Sequence, residues 1–332
     1  MAKAVRMADI AEKLGISVVS VSKGLTGKDG VSEELRARIQ KTAEELGYRE
    51  SRNTNPVWEG ENVGILVPDR FFNENAFYYT LYRNLLEQCQ KKNMTAMVEI
   101  IPKEAERACE MPSLVQSHKV DGVIFMGEVE LSYIRAVAES GLPFLLLDFY
   151  KDDLECDSIR SDNVHGGYVL TRHLLETGRK NIGFVGSILE TSSIMDRYLG
   201  CCKALLEAGI EPNQAWRLED RDRDGVLVPL QLPEDLPEAF VCSCDEVAFR
   251  LVELLKAGGK RVPEDVAVTG YDDFRFATMT TPNLTSYTTN VKGLAEAAVT
   301  IMKRRLQKKT VDASVRILPG SMVIRASTQA EG

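Results

Sequence analysis

Histidine and tryptophan are scarce in this 332-residue chain, at three and two copies, and no apolar run approaches the length that spans a bilayer. No transmembrane helix is therefore expected. Seven cysteines are scattered at positions 89, 109, 156, 201, 202, 242 and 244. Their odd number, with no apolar core or cleavage site in the opening MAKAVRMADIAEKLG, predicts free thiols in a reducing cytoplasm. Cys201-Cys202 and Cys242-Ser243-Cys244 lack further ligands at metal-binding spacing, so they read as small buried side chains and no metal is expected. A glycine-rich phosphate loop and a nucleophile elbow are also missing; Gly258-Gly259-Lys260 only ends a helical pattern. His118, His165 and His173 stand isolated on or beside helical patterns. Neither a cofactor nor catalysis is expected.

What is present suits a globular protein: 44% hydrophobic and 27% charged residues, over a length that accommodates a small head and two further domains. The net charge of −8 is unevenly spread. Residues 1–52 carry ten basic and eight acidic side chains, the remainder 31 and 41. A mildly cationic head on an anionic body is the sign pattern for phosphate contact through the head.

The head is built on Met7–Leu25, MADIAEKLGISVVSVSKGL. Ile10, Ala11 and Leu14 share one helical face, Gly15 permits a sharp turn, and Ser17 is the N-cap of a second helix carrying Val21 and Leu25. Ser32 opens a third with Leu35, Ile39, Ala43 and Leu46 in register, stopped by Gly47. In a helix-turn-helix the second helix enters the major groove. That geometry selects a DNA-facing set of Arg6, Ser17, Val18, Val19, Ser20, Ser22, Lys23 and Thr26. Valine offers bases only apolar contact, for instance to a thymine methyl, and Gly24 is expected to loosen the helix end. A small helical subdomain with no DNA role is the alternative on pattern alone.

The run Asp9-Ile10-Ala11, Leu14 to Lys23, Val31-Ser32-Glu33-Glu34 and Ala43 to Tyr48 resembles the head-piece of the LacI/GalR family of bacterial transcription regulators. The resemblance implies residues 1–48 as the DNA-binding domain, 49–61 as a hinge, and an effector-binding and dimerisation domain over 62–332. In the family the hinge becomes a helix that wedges a leucine into the minor groove. Here Pro56 interrupts the segment and no leucine lies between Leu46 and Leu66.

From Val63 apolar strand patterns alternate with amphipathic helices. Strands are expected at 63–67, 95–100, 122–126, 144–147, 158–161, 182–185, 239–242, 266–271 and 284–290. Intervening helices are expected at 77–91, 104–117, 131–139, 164–176, 195–208, 246–257 and 291–306. This alternation gives two doubly wound parallel-sheet subdomains. Val67-Pro68-Asp69, Val120-Asp121-Gly122, Gly270-Tyr271-Asp272-Asp273 and Pro282-Asn283-Leu284-Thr285 are similar, in order, to the family's regulatory core. The resemblance implies a type I periplasmic-binding-protein-like fold, with 62–161 plus 291–318 in one subdomain and 162–290 plus 319–330 in the other.

Ligands of open α/β sheets bind beyond the carboxyl ends of strands. Asp148, Asp245 and Asp272 follow predicted strands, and Arg197 lies near Ser192 and Ser193 on the helix after 182–185. Carboxylates accept from hydroxyls and a guanidinium donates to them, a set suited to a sugar, whose apolar faces aromatic side chains cover. Aspartates after strands are also common helix caps, and paired acids serve glycoside hydrolysis. The family's effector contacts fall on Asp148, Ser193, Arg197, Asp245 and Asp272 by the resemblance, with Phe72 and Trp216 from loops completing the set. The expectation is a cytoplasmic homodimeric repressor of carbohydrate-utilisation genes, binding a pseudo-palindromic operator under control of a sugar-like effector. A sugar-binding protein with no transcriptional role is the alternative.

Overall fold

The computed structural model describes residues 7–26, 31–46, 61–72, 76–307 and 312–329, and the chain divides into two compact units, 1–59 and 60–332. In the first unit, α1 (Met7–Leu14), α2 (Val18–Thr26) and α3 (Glu33–Leu46) close on Ile10, Ala11, Val21, Ile39 and Ala43. Gly15 makes the turn at φ 65°, a conformation that costs glycine nothing. The Ser17 hydroxyl accepts the Ser20 N–H at 3.1 Å, and the Ser32 hydroxyl that of Leu35 at 3.3 Å, so both helices begin on side-chain caps. Gly24 does not loosen α2 as its composition suggests. It is buried, and a Cβ there would fall 2.5 Å from Ile39 Cδ1, so its bare backbone lets α2 lie on α3.

The second unit has two lobes. The first holds a six-stranded, all-parallel sheet in the order β11-β5-β4-β3-β1-β2, formed by β1 (Glu61–Pro68), β2 (Met94–Ile101), β3 (Gly122–Met126), β4 (Phe144–Leu147), β5 (Asp157–Ser161) and β11 (Val315–Leu318). The second holds a four-stranded parallel sheet in the order β7-β6-β8-β9, from β6 (Ile182–Val185), β7 (Arg217–Leu218), β8 (Ala239–Cys242) and β9 (Ala267–Thr269). β1 from Val63 onward, β3 and β4 are apolar throughout because helices cover both faces. Helix Val291–Leu306 packs on the first lobe although it follows the second in sequence.

Three expectations need correction. The single helix foreseen over 104–117 is two short ones, Lys103–Arg107 and Ser113–Gln116, because Pro112 denies the backbone a donor between them. The strand foreseen at 284–290 shortens to β10 (Ser286–Thr288) and pairs antiparallel with β12 (Ser321–Val323), outside the main sheets. Helix Ser192–Glu207 begins a turn earlier than foreseen, with Thr191 accepting the Ile194 N–H at 3.2 Å as its cap. No helix among the described residues is long and apolar enough to cross a membrane.

Candidate functional site

A cavity of about 60 Å³ lies where the carboxyl ends of the two sheets face each other, lined by Tyr78 and Asp148 from the first lobe and Ser193, Arg197, Ser243 and Asp272 from the second. Asp148 follows β4 directly. It is held at φ 73°, a left-handed conformation that aspartate tolerates better than most residues, and it is 5% exposed. The Tyr78 hydroxyl donates to its Oδ2 at 2.8 Å, whereas the buried Oδ1 has no hydrogen-bond partner. Burial pushes the Asp148 carboxyl up to about 7; Arg197 and the Tyr78 hydroxyl pull it back, and Asp272 and Glu128 add to the rise.

Arg197 is placed by close backbone packing. A Cβ on Gly167 would meet the Arg197 carbonyl oxygen at 2.0 Å, and one on Gly200 the Val164 carbonyl oxygen at 2.0 Å. Helices Asn163–Glu176 and Ser192–Glu207 thus touch main chain to main chain. The guanidinium then donates through Nε to Asn163 Oδ1 at 3.0 Å and through Nη1 to the Ser243 carbonyl. It lies over the Tyr271 ring at 3.7 Å, with Nη2 3.7 Å from Asp272 Oδ1. Asp272, at φ 94°, accepts from the Thr289 hydroxyl at 3.3 Å. Burial raises its carboxyl above the usual range, against the pull of Arg197.

Ser193 lies on the cavity wall, its hydroxyl 3.0 Å from that of Thr191. Asp196 is paired not with Arg197 but with Arg160, at 2.7 Å. Asp245 belongs to the framework: Oδ1 accepts from the Ser286 hydroxyl at 2.6 Å and Oδ2 from the Phe274 N–H at 2.8 Å. Burial pushes its carboxyl up to about 8, against the Ser286 hydroxyl bond and with Asp272 raising it further. It locks the turn that presents Asp272, and at the same time it lines the outer part of the cleft. Trp216 is misplaced by the sequence reading. Its indole N–H donates to the Asp235 carbonyl at 2.9 Å, and it precedes β7, at the end of the sheet remote from the cavity. The Phe72 side chain lies outside the described residues; its neighbour Phe71 lines the cavity.

Sequence reasoning missed Tyr78, Asn163, Arg70 and Arg221. Arg221 comes three residues after β7, and a two-residue strand leaves no periodic signal. Its Nη1 donates to Asp220 Oδ2 at 2.9 Å, and Asp220 also accepts from the Ser243 hydroxyl at 2.8 Å. Across the cleft, Glu128 of the first lobe accepts from the Ser192 N–H at 3.0 Å and its hydroxyl at 2.8 Å. Lys103 pairs with Asp224, and Arg107 with the same carboxylate at 3.3 Å. The lobes are closed on one another.

In the head, Ser17, Ser20 and Lys23 are described, with Ser17 exposed and the other two half-buried. Arg6, the side chains of Val18, Val19, Ser22 and Thr26, and the hinge up to residue 60 lie outside the described residues. Among the described residues no group of three histidine, cysteine or acidic side chains is placed to hold a metal ion.

Residues 6–51 match the model of the bacterial regulatory proteins of the lacI family, and residues 171–328 that of the periplasmic binding protein-like domain. The ribose operon repressor of Haemophilus influenzae is 27% identical over 328 residues, covering 97% of this chain and 98% of that protein. Catabolite control protein A of Priestia megaterium is 26% identical over 333 residues, with 97% and 98% covered. The solved Lac repressor dimer bound to operator and the anti-inducer ONPF aligns over 99% of this chain and 100% of its own, with a TM-score of 0.70 at 21% identity, a likeness of fold. In head and body alike this chain is thus similar to the bacterial regulatory proteins of the lacI family.

Proposed function

We propose that this protein is a cytoplasmic repressor of carbohydrate-utilisation genes. As a homodimer it binds a pseudo-palindromic operator through its two heads, reading bases and phosphates with the set Arg6, Ser17, Val18, Val19, Ser20, Ser22, Lys23 and Thr26. A small polyhydroxylated effector binds between the lobes, held by Asp148, Ser193, Arg197 and Asp272. The observation that carries this reading is the buried inter-lobe cavity, where a bare carboxylate oxygen of one lobe faces a fully positioned guanidinium of the other. A hydroxyl-rich ligand supplies the donor that Asp148 Oδ1 lacks and accepts from the N–H groups of Arg197 that its two bonds to the fold leave over. Effector and operator affinities are then linked, and the linkage is reciprocal.

The role is binding without turnover. Both Asp245 oxygens are committed to the fold and Asp272 is tied to Arg197 and Thr289, so neither is free to complement Asp148 in acid and base work. The alternative of a solute-binding protein leaves the head without a purpose. Operator fragments selected from random DNA by the full chain should be shifted in a gel, and a chain beginning at Gly60 should still bind the effector yet shift none. Full-strength DNA binding by the shortened chain would refute the assignment of the head.

A further inference from the structure

The cavity between the lobes opens into a second one of about 410 Å³, which shares Arg70, Phe71, Phe77 and Arg221 with it and adds Phe274 and Phe276. That volume falls in the roughly 300–1,000 Å³ of pockets that enclose ligands of more than one ring, whereas the inner cavity of about 60 Å³ cannot take even one whole sugar ring. The outer walls are aromatic and mutually braced. Phe71 lies 4.9 Å from Tyr78, and Phe77 meets Phe274 edge-on at 6.0 Å. Such rings cover the C–H face of a sugar at little entropic cost, since their own positions are already fixed.

Charge narrows the ligand further. Each arginine on the inner wall has a carboxylate of its own: Arg70 bonds Glu106 at 2.6 Å, Arg221 bonds Asp220 at 2.9 Å, and Arg197 faces Asp272. What remains unpaired is acidic. Asp148 Oδ1 has no donor, and Glu190 has no ion-pair partner among the described residues. A phosphate brought here would add about −1.5 to −2 charges to a wall whose cations are already balanced by carboxylates and whose unpaired groups are acidic, although Arg197 keeps N–H donors for a neutral hydroxyl. Hydroxyl donors meet no such penalty.

Resting on the reading of the site as a sugar-effector cavity, we infer that the effector is an uncharged disaccharide. One glycosyl unit reaches inward to donate to Asp148 and accept from Arg197, and the second lies against Phe274 and Phe276; phosphorylated monosaccharides are refused.

The test is calorimetric titration of the full chain with glucose, galactose, glucose 6-phosphate, cellobiose, maltose, lactose and trehalose, followed by Phe276→Ala and Phe276→Trp with the best ligand. The expected result is a disaccharide bound at least tenfold more tightly than either of its monosaccharides, with no heat from glucose 6-phosphate. Phe276→Ala should collapse that ratio toward one, while Phe276→Trp, which keeps an aromatic face, should preserve it. A monosaccharide or glucose 6-phosphate binding as tightly as any disaccharide overturns the two-unit proposal and leaves the sugar-effector reading standing. Silence from all seven overturns both, and unchanged operator shifts would then still uphold the role of the head.

Discussion

The two lobes share one plan, a parallel sheet with helices on both faces, yet they furnish the cleft in opposite ways. On the second lobe the groups at the centre of the cavity are bonded to their own neighbours, Arg197 to Asn163 and Ser243, Asp272 to Thr289 and Arg221 to Asp220, with Glu190 left without an ion pair among the described residues. On the first lobe Asp148 keeps one bond, from Tyr78, and leaves an oxygen bare. A wall satisfied in advance needs little rearrangement to receive a ligand. A wall with an orphaned buried acceptor gains most when a donor arrives. Under the proposed function, the second lobe therefore fixes where the effector sits, and the first registers that it has come.

That division can be broken at its strongest point by Arg197→Ala. Because Asp272 and the Ser243 carbonyl would lose their buried partner, we expect effector affinity to fall at least 100-fold, and stability by about 3–5 kcal/mol, the cost of breaking a buried pair. Arg197→Lys, which retains charge, should recover part of the stability and little of the affinity. Titration calorimetry and thermal melting separate the two effects.

Asp148→Asn tests the other wall and should weaken effector binding by about tenfold, the worth of one charge-assisted hydrogen bond. Wild-type affinity should fall as pH drops below about 7, where the Asp148 carboxyl takes up a proton, and the variant should lack this slope. The stability of the unliganded protein carries the opposite sign. The folded pKa is raised above the ordinary value, so the carboxyl's contribution is full below about pH 4 and is lost as pH rises through 7. Asp148→Asn should accordingly raise the melting temperature at pH 8 by about 2 °C and leave it nearly unchanged at pH 4. A variant that melts lower at both values would contradict the bare-oxygen assignment.

Smaller effects probe the rim and the back of the second lobe. Asp224→Ala removes the exposed pairs with Lys103 and Arg107 and should weaken effector binding only about two- to fivefold. Trp216→Phe, at the remote end of β7, should leave effector affinity within a factor of two; a larger loss would return this residue to the site.

The alternation of strands and helices was legible because central parallel strands are apolar throughout, as Val123 to Met126 and Leu145 to Leu147 are. Asp148 and Asp272 could be picked out for the same reason: the strand before each is unmistakable, and a polar residue stands out against it. Asp220 and Arg221 escaped because β7 has only two residues. Tyr78 and Asn163 escaped because they project from helices, where polar residues are ordinary and periodicity does not tell a ligand-facing side chain from a core one. Asp245 shows the converse limit. Its position after β8 marks it as prominent, but only the Ser286 hydroxyl and the Phe274 N–H, far along the chain, reveal that its oxygens are already taken.

The main chain passes between the lobes three times: from β5 into helix Asn163–Glu176, from β10 into helix Val291–Leu306, and from β11 into β12. The strands at these crossings are stitched side by side, as when the Asp162 N–H donates to the Leu318 carbonyl at 2.9 Å and the Gly320 N–H to the Tyr287 hydroxyl at 2.9 Å. The three crossings thus lie together along one seam, so any movement of one lobe against the other has to be absorbed by these few residues. Neither lobe can be excised by a single cut in the gene, since each is assembled from distant stretches of sequence.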